Sequence, residues 1–135
     1  MSILILVAHA PLGAALTECA RQILGNLPPS LKVIDVNHYK DQELLVAEVK
    51  EVIEKLKSEP EILVLTDVIG ATPANLIASL LQPGRIEGVA GVNLPMLLRS
   101  INYHHKPLPE LLKLVLECGE TSVIAMNECY CADRN

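Results

Sequence analysis

Two residues stand where chemistry could be done. The apolar run Ile3-Leu4-Ile5-Leu6-Val7-Ala8 stops abruptly at His9, which Ala10-Pro11-Leu12-Gly13 follows, and the run Ile62-Leu63-Val64-Leu65-Thr66 stops at Asp67 before a turn containing Gly70. An imidazole has two nitrogens, and a carboxylate bonded to one fixes the tautomer and leaves the other as a directed lone pair. If Asp67 does this for His9, the remaining nitrogen is a nucleophile. Helices that begin after Ala10 and after Thr72 would aim backbone N–H groups at the same space, an environment suited to an anion. Together these groups describe a histidine that takes a phosphoryl group covalently and hands it on. Taken singly, each residue has a plainer role: a strand-end histidine is often only hydrogen-bonded, and an aspartate after a strand is often a turn residue or helix cap. Thr72 is most simply a cap, with phosphate contact second.

The elements that must bring the pair together are legible in the hydrophobic pattern. A strand to His9 is followed by a helix through Leu12, Ala15, Leu16, Cys19, Ala20, Ile23 and Leu24, with Gly25-Asn26 ending it. Leu31–Val36 reads as a second strand, and Leu45, Val49, Val52, Ile53 and Leu56 form the stripe of a second helix. The third strand ends at Asp67, and a helix from Thr72-Pro73 runs through Leu76, Ile77, Leu80 and Leu81 to Pro83-Gly84. Ile86–Val92 is a fourth strand. Asn93 to Asn102 is a short helix, Pro107–Leu116 a last helix ended by Gly119, Thr121–Met126 a fifth strand, and 127–135 a polar tail beyond a domain spanning 1–126.

Alternating strands and helices imply right-handed crossovers and a mainly parallel sheet. For this length the expected architecture is α/β, a flavodoxin-like three-layer sandwich of strand order 2-1-3-4. Its switch point then lies between the first and third strands, whose C-terminal ends are His9 and Asp67. That topology makes the two polar ends meet.

Composition narrows the classes. The chain has 135 residues, no Trp or Phe, and a net charge of −5 from 11 basic and 16 acidic residues, so it has no basic footprint for nucleic acid or a membrane surface. The first apolar run is too short for a membrane span and lacks a signal peptide's basic flank. Cys19, Cys118, Cys129 and Cys131 read as reduced thiols, and the protein is expected in the cytoplasm. Cys19 and Cys118 fall on apolar helix faces as small core residues; Cys129-x-Cys131 sits in the tail, an accidental pair first and a redox or metal pair second. His104-His105 read as loop residues rather than metal ligands, since adjacent side chains diverge. His38 and Tyr39 are loop residues that could rim the crevice.

Three segments resemble the mannose-family IIA domain of the bacterial phosphoenolpyruvate-dependent sugar phosphotransferase system: the strand ending in His9, Leu65 to Asn75 around Asp67, and Ala90-Gly91-Val92-Asn93-Leu94-Pro95-Met96-Leu97. The last is the most specific, and the similarity runs to about Met126. The resemblance implies that His9 accepts a phosphoryl group from phospho-HPr and passes it to a IIB partner, without a cofactor or metal. It also implies that Asp67 orients His9 and that the Thr72 hydroxyl lies near the phosphate; Ala10, Gly70 and Ala71, beside the two expected helix starts, are the further phosphate-binding candidates. Pro11, Val68, Ile69, Met96 and Arg99 would then face partner proteins, although Met96 reads first as packing and Arg99 by default as a solvated charge, and a homodimer would form in which the last strand, matched by Thr121–Met126, is antiparallel at the sheet edge and exchanged. The protein would be peripheral to a membrane permease at most. Ala8-His9-Ala10 stands where many members have Thr-His-Gly, and Val68-Ile69-Gly70-Ala71-Thr72-Pro73 where they have an aromatic-Gly-Gly-Ser-Pro turn, differences that bear on partner choice. A regulatory IIA protein acting on a regulated partner, and a phosphoryl-donor subunit for dihydroxyacetone kinase, are the alternative roles. A nucleotide-binding module is disfavoured because no Walker loop or G-x-G-x-x-G follows any strand.

Overall fold

The computed structural model describes residues 1–37, 42–55, 60–68, 75 and 77–128. Its strands are β1 (Ser2–His9), β2 (Leu31–Val36), β3 (Glu61–Thr66) and β4 (Ile86–Ala90), and its helices are α1 (Leu12–Leu24), α2 (Gln42–Glu54), α3 (Leu94–Tyr103) and α4 (Leu108–Thr121). Asn75, Ile77 and Ala78 are also helical, within the range expected for a helix between β3 and β4. The strands form one parallel sheet in the order β2-β1-β3-β4. This is the flavodoxin-like arrangement expected from the alternating pattern.

The near-uniform apolarity of β1 and β3 follows from burial on both faces. Leu4, Leu6, Leu63, Leu65 and Val89 point to one side, where Ala20 of α1, Met96, Leu97 and Ile101 of α3, and Leu108, Leu111 and Val115 of α4 pack on them. Ile5, Val7, Ile62, Val64 and Ile86 point to the other, against Leu45 and Val49 of α2 and against Ile77. Neighbouring β1 and β3 residues fall on opposite faces because strand side chains alternate.

Register places the strand ends. Val7 lies opposite Thr66 and His9 opposite Val36, so His9 and Asp67 emerge side by side at the C-terminal edge of the two central strands. The chain leaving β4 anchors this edge: Gly91, in the left-handed region at φ 86°, donates its N–H to the Asp67 carbonyl at 2.7 Å, and Val92 donates to that of Thr66 at 3.0 Å.

The C-terminal expectation needs correction. Thr121–Met126 is not a strand in this chain: α4 continues through Gly119 to Thr121, Val123–Ala125 have no regular structure, and Met126–Glu128 are helical. Gly119 does not end the helix. A Cβ there would lie 3.1 Å from the Met96 sulfur, so the glycine serves close packing of α3 on α4, and the helix stops at Ser122, whose N–H bonds the Cys118 carbonyl. Val123, 83 % exposed, with Ile124 and Met126, is left facing solvent.

The inward face of α1 also differs from the expected stripe. Gly13 and Ala20 are buried and Leu16 and Leu24 partly so, whereas Leu12, Ala15, Cys19 and Ile23 are exposed. The helix lies with its smallest residues against the sheet. Cys19 is therefore a surface thiol, while Cys118 is buried as expected.

Candidate functional site

The site is built at the end of β1. His9 Nδ1 lies 2.7 Å from Asp67 Oδ2, and the same oxygen accepts the His9 backbone N–H at 2.9 Å. Asp67 Oδ1 accepts the Val68 N–H at 2.8 Å. Three bonds thus hold one carboxylate whose side chain is only 6 % exposed, while the imidazole it holds is 36 % exposed. Burial is the strongest influence on the Asp67 carboxyl and opposes its charge. The hydrogen bonds from the His9 backbone, the His9 ring and the Val68 backbone, joined by the charge of His9, outweigh it and bring ionisation below the ordinary carboxylate value. An ionised carboxylate only accepts, so Nδ1 carries the proton of this contact. Nε2 is the ring nitrogen that Asp67 does not engage.

The remaining expected site residues divide. Pro11 and Val68 are exposed beside the pair. Ala10 is committed elsewhere: its N–H donates to the Val36 carbonyl at 2.8 Å, extending the β1–β2 ladder rather than pointing at an anion. Met96 is a core residue, 3 % exposed, as its packing reading expected, and its side chain is not presented at the surface. Arg99 lies on α3 with its guanidinium 5.6 Å from the Tyr103 ring centre. His104 and His105 follow α3; His104 Nδ1 is 3.3 Å from Ser30 Oγ. Among the described residues no group of three or more His, Cys, Asp or Glu side chains is placed to hold a metal ion, and no helix is long and apolar enough to cross a membrane. His38, Tyr39, Leu56, Ile69, Gly70, Ala71, Thr72, Pro73, Leu76, Cys129 and Cys131 lie outside the described residues.

One residue beside the site escaped the sequence reading. Asp35 sits near the C-terminal end of β2, opposite Ala8, and its Oδ2 accepts the Ala14 N–H of the first turn of α1 at 3.3 Å. The available signal was a lone carboxylate inside an otherwise apolar strand end, Val33-Ile34-Asp35-Val36.

Residues 3–114 match the family described as "PTS system fructose IIA component". The chain belongs to the fructose/mannose-type IIA family of the phosphotransferase system. A curated relative, the fructose-specific EIIA component of the phosphotransferase system of Bacillus subtilis, is 31 % identical over 128 residues, covering 92 % of this chain and 86 % of that one. Among solved structures, a phosphotransferase system component EIIA from Streptococcus agalactiae superposes with a TM-score of 0.85 at 22 % identity, covering 96 % of this chain and 100 % of that one. The mannose/sorbose-specific IIA subunit from Enterococcus faecalis gives 0.80 at 22 % identity, with 90 % and 92 % covered. These structural likenesses show the same fold over 90–96 % of the chain. As a IIA component, the protein is part of the phosphotransferase machinery.

Proposed function

We propose that this IIA protein is a phosphoryl carrier whose acceptor atom is His9 Nε2. The observation that carries the reading is the 2.7 Å contact between Nδ1 of a half-exposed imidazole and a buried, ionised Asp67 at the paired strand ends. In the step, the Nε2 lone pair attacks the phosphorus of a phosphohistidine on the donor, phospho-HPr. The new P–N bond forms as the donor's P–N bond breaks, and the donor imidazole leaves as the neutral base. The ring of His9 becomes a phosphorylated imidazolium that keeps its Nδ1 proton, and the Asp67 carboxylate beside it stabilises the positive charge. Passing the group to a IIB component for sugar uptake is the reverse of the same step with a new acceptor.

Pro11 and Val68, both exposed and close in sequence to His9 and Asp67, supply surface that donor and acceptor would share in turn. The family resemblance puts the Thr72 hydroxyl near the phosphate, with Gly70 and Ala71 of the same turn as further phosphate-binding candidates. The exposed Val123, Ile124 and Met126 beyond α4 support a homodimer, which sedimentation of the full chain against one ending before Thr121 would resolve as dimer against monomer. Incubation with phosphoenolpyruvate, enzyme I and HPr is expected to add one acid-labile, base-stable phosphoryl group. No mass gain, or a gain that persists in His9→Ala, would overturn the assignment.

A further inference from the structure

The sequence suggests two helix N-termini aimed at the space around His9, but the first turn of α1 already gives the Ala14 N–H to a carboxylate of this chain. Its N-cap, Pro11, provides no side-chain hydrogen bond, and its first turn contains no acidic residue. Asp35 reaches across from β2 instead: Oδ2 takes the Ala14 N–H, and Oδ1 is buried with no hydrogen-bond partner among the described residues. Gly13 makes room for it, since a Cβ at that position would lie 2.3 Å from Asp35 Oδ1 and 3.2 Å from Val33 Cγ1. An unpartnered carboxylate oxygen is costly to bury unless a positive pole faces it, and a helix N-terminus is one.

We propose that Asp35 is a positioning residue for the reaction at His9: its carboxylate stands in for an external anion at the start of α1, removing that helix as a phosphate cradle. Two consequences follow. A phosphoryl group on His9 is held by partners other than α1. The fixed negative charge of Asp35, opposite Ala8 and one residue from the level of His9, also disfavours a second anion nearby, so it weakens the hold on the phosphoryl group and favours its onward transfer. At a separation on the order of 10 Å, set by strands about 4.8 Å apart plus the side chains, one unit charge shifts the phosphorylation equilibrium by about two- to tenfold, less at high salt.

The phosphate-transfer consequence rests on the carrier reading, and the occupancy of α1 does not, so two measurements separate them. The first follows the Gly13 and Ala14 amide resonances of the full chain as inorganic phosphate is added. In the native protein these amides stay in place, whereas in Asp35→Ser, which vacates the position, they move and saturate. Gly13→Ala, which displaces the carboxylate, responds in the same direction. Equal responses in native and Asp35→Ser protein, or none in either, overturn the proposal. The second measures the equilibrium of His9 phosphorylation against phospho-HPr in Asp35→Asn, which keeps an acceptor for Ala14 and removes the charge. The expected result is a two- to tenfold gain in phosphorylated protein that shrinks with salt, and an unchanged constant in a folded variant overturns the electrostatic role. If the native protein takes no phosphoryl group, the carrier reading fails while the phosphate titration still decides the place of Asp35.

Discussion

β3 carries a carboxylate at each end, and the two are used differently. At its start, Glu61 reaches the N–H of Leu108, the first residue of α4, whose N-cap Pro107 makes no side-chain bond. Just past its end, Asp67 holds the ring and backbone of His9. The first carboxylate satisfies an orphan helix donor and ends there. The second holds a half-exposed ring with a further nitrogen for chemistry. The histidines repeat the contrast. His104, at the Glu61 end of the sheet, meets a neutral Ser30 hydroxyl through Nδ1 at 3.3 Å, and its backbone carbonyl accepts the Ser2 N–H. His9 meets a buried ionised carboxylate at 2.7 Å. A histidine near a sheet edge becomes a candidate site when its partner is charged, buried and itself held in place.

The sharpest way to break this comparison is Asp67→Asn. The amide keeps the shape but changes the proton logic at Nδ1, and phosphoryl acceptance at His9 is expected to fall by about 10²-fold or more, by analogy with the loss of an orienting carboxylate in other imidazole sites. Quench-flow phosphorylation with phospho-HPr reads the rate, and a change below threefold would place Asp67 with Glu61 as structural only. Glu61→Gln should do the opposite, leaving acceptance intact while costing about 1–2 kcal/mol of stability through a weakened helix start. Thermal unfolding should report a fall of about 3–8 °C; a loss of acceptance instead would erase the distinction between the two ends.

The acid limb of stability provides a third test. Asp67 has its folded value lowered, so its contribution is fully present above the unfolded carboxylate value of about 4 and is lost as pH falls through the lower folded value. Denaturant midpoints from pH 5 to pH 2 should decline in the native chain, and Asp67→Asn should remove part of that decline. An identical slope in both would show that the three hydrogen bonds do not favour the charged form. The smallest effect is expected for His104→Ala. Its bond to the uncharged Ser30 hydroxyl is long, so stability should change by about 0.5 kcal/mol and phosphorylation not at all.

Much of this site was legible because the signals are local. A largely apolar run that ends in one polar residue marks a strand buried on both faces, and the chain carries two of them, ending at His9 and Asp67. Alternation with helices then orders the strands, since right-handed crossovers leave few topologies. Asp35 was not legible in the same way: nothing in Val33-Ile34-Asp35-Val36 says that its oxygen lies over Gly13 of another element.

By itself the sequence determined which residues are apolar and where each run stops, and hence the four parallel strands, their order and the pairing of His9 with Asp67. The tertiary structure alone decided the matters that depend on how closely two elements approach. The rotation of α1 exposes Cys19 and buries Gly13, because the helix settles its smallest residues on the sheet. Gly119 carries α4 onward instead of ending it, because Met96 fills the space its side chain would take. Periodicity reports that a face is apolar; only packing selects which part of that face goes inward and which glycine is there for contact rather than for a turn.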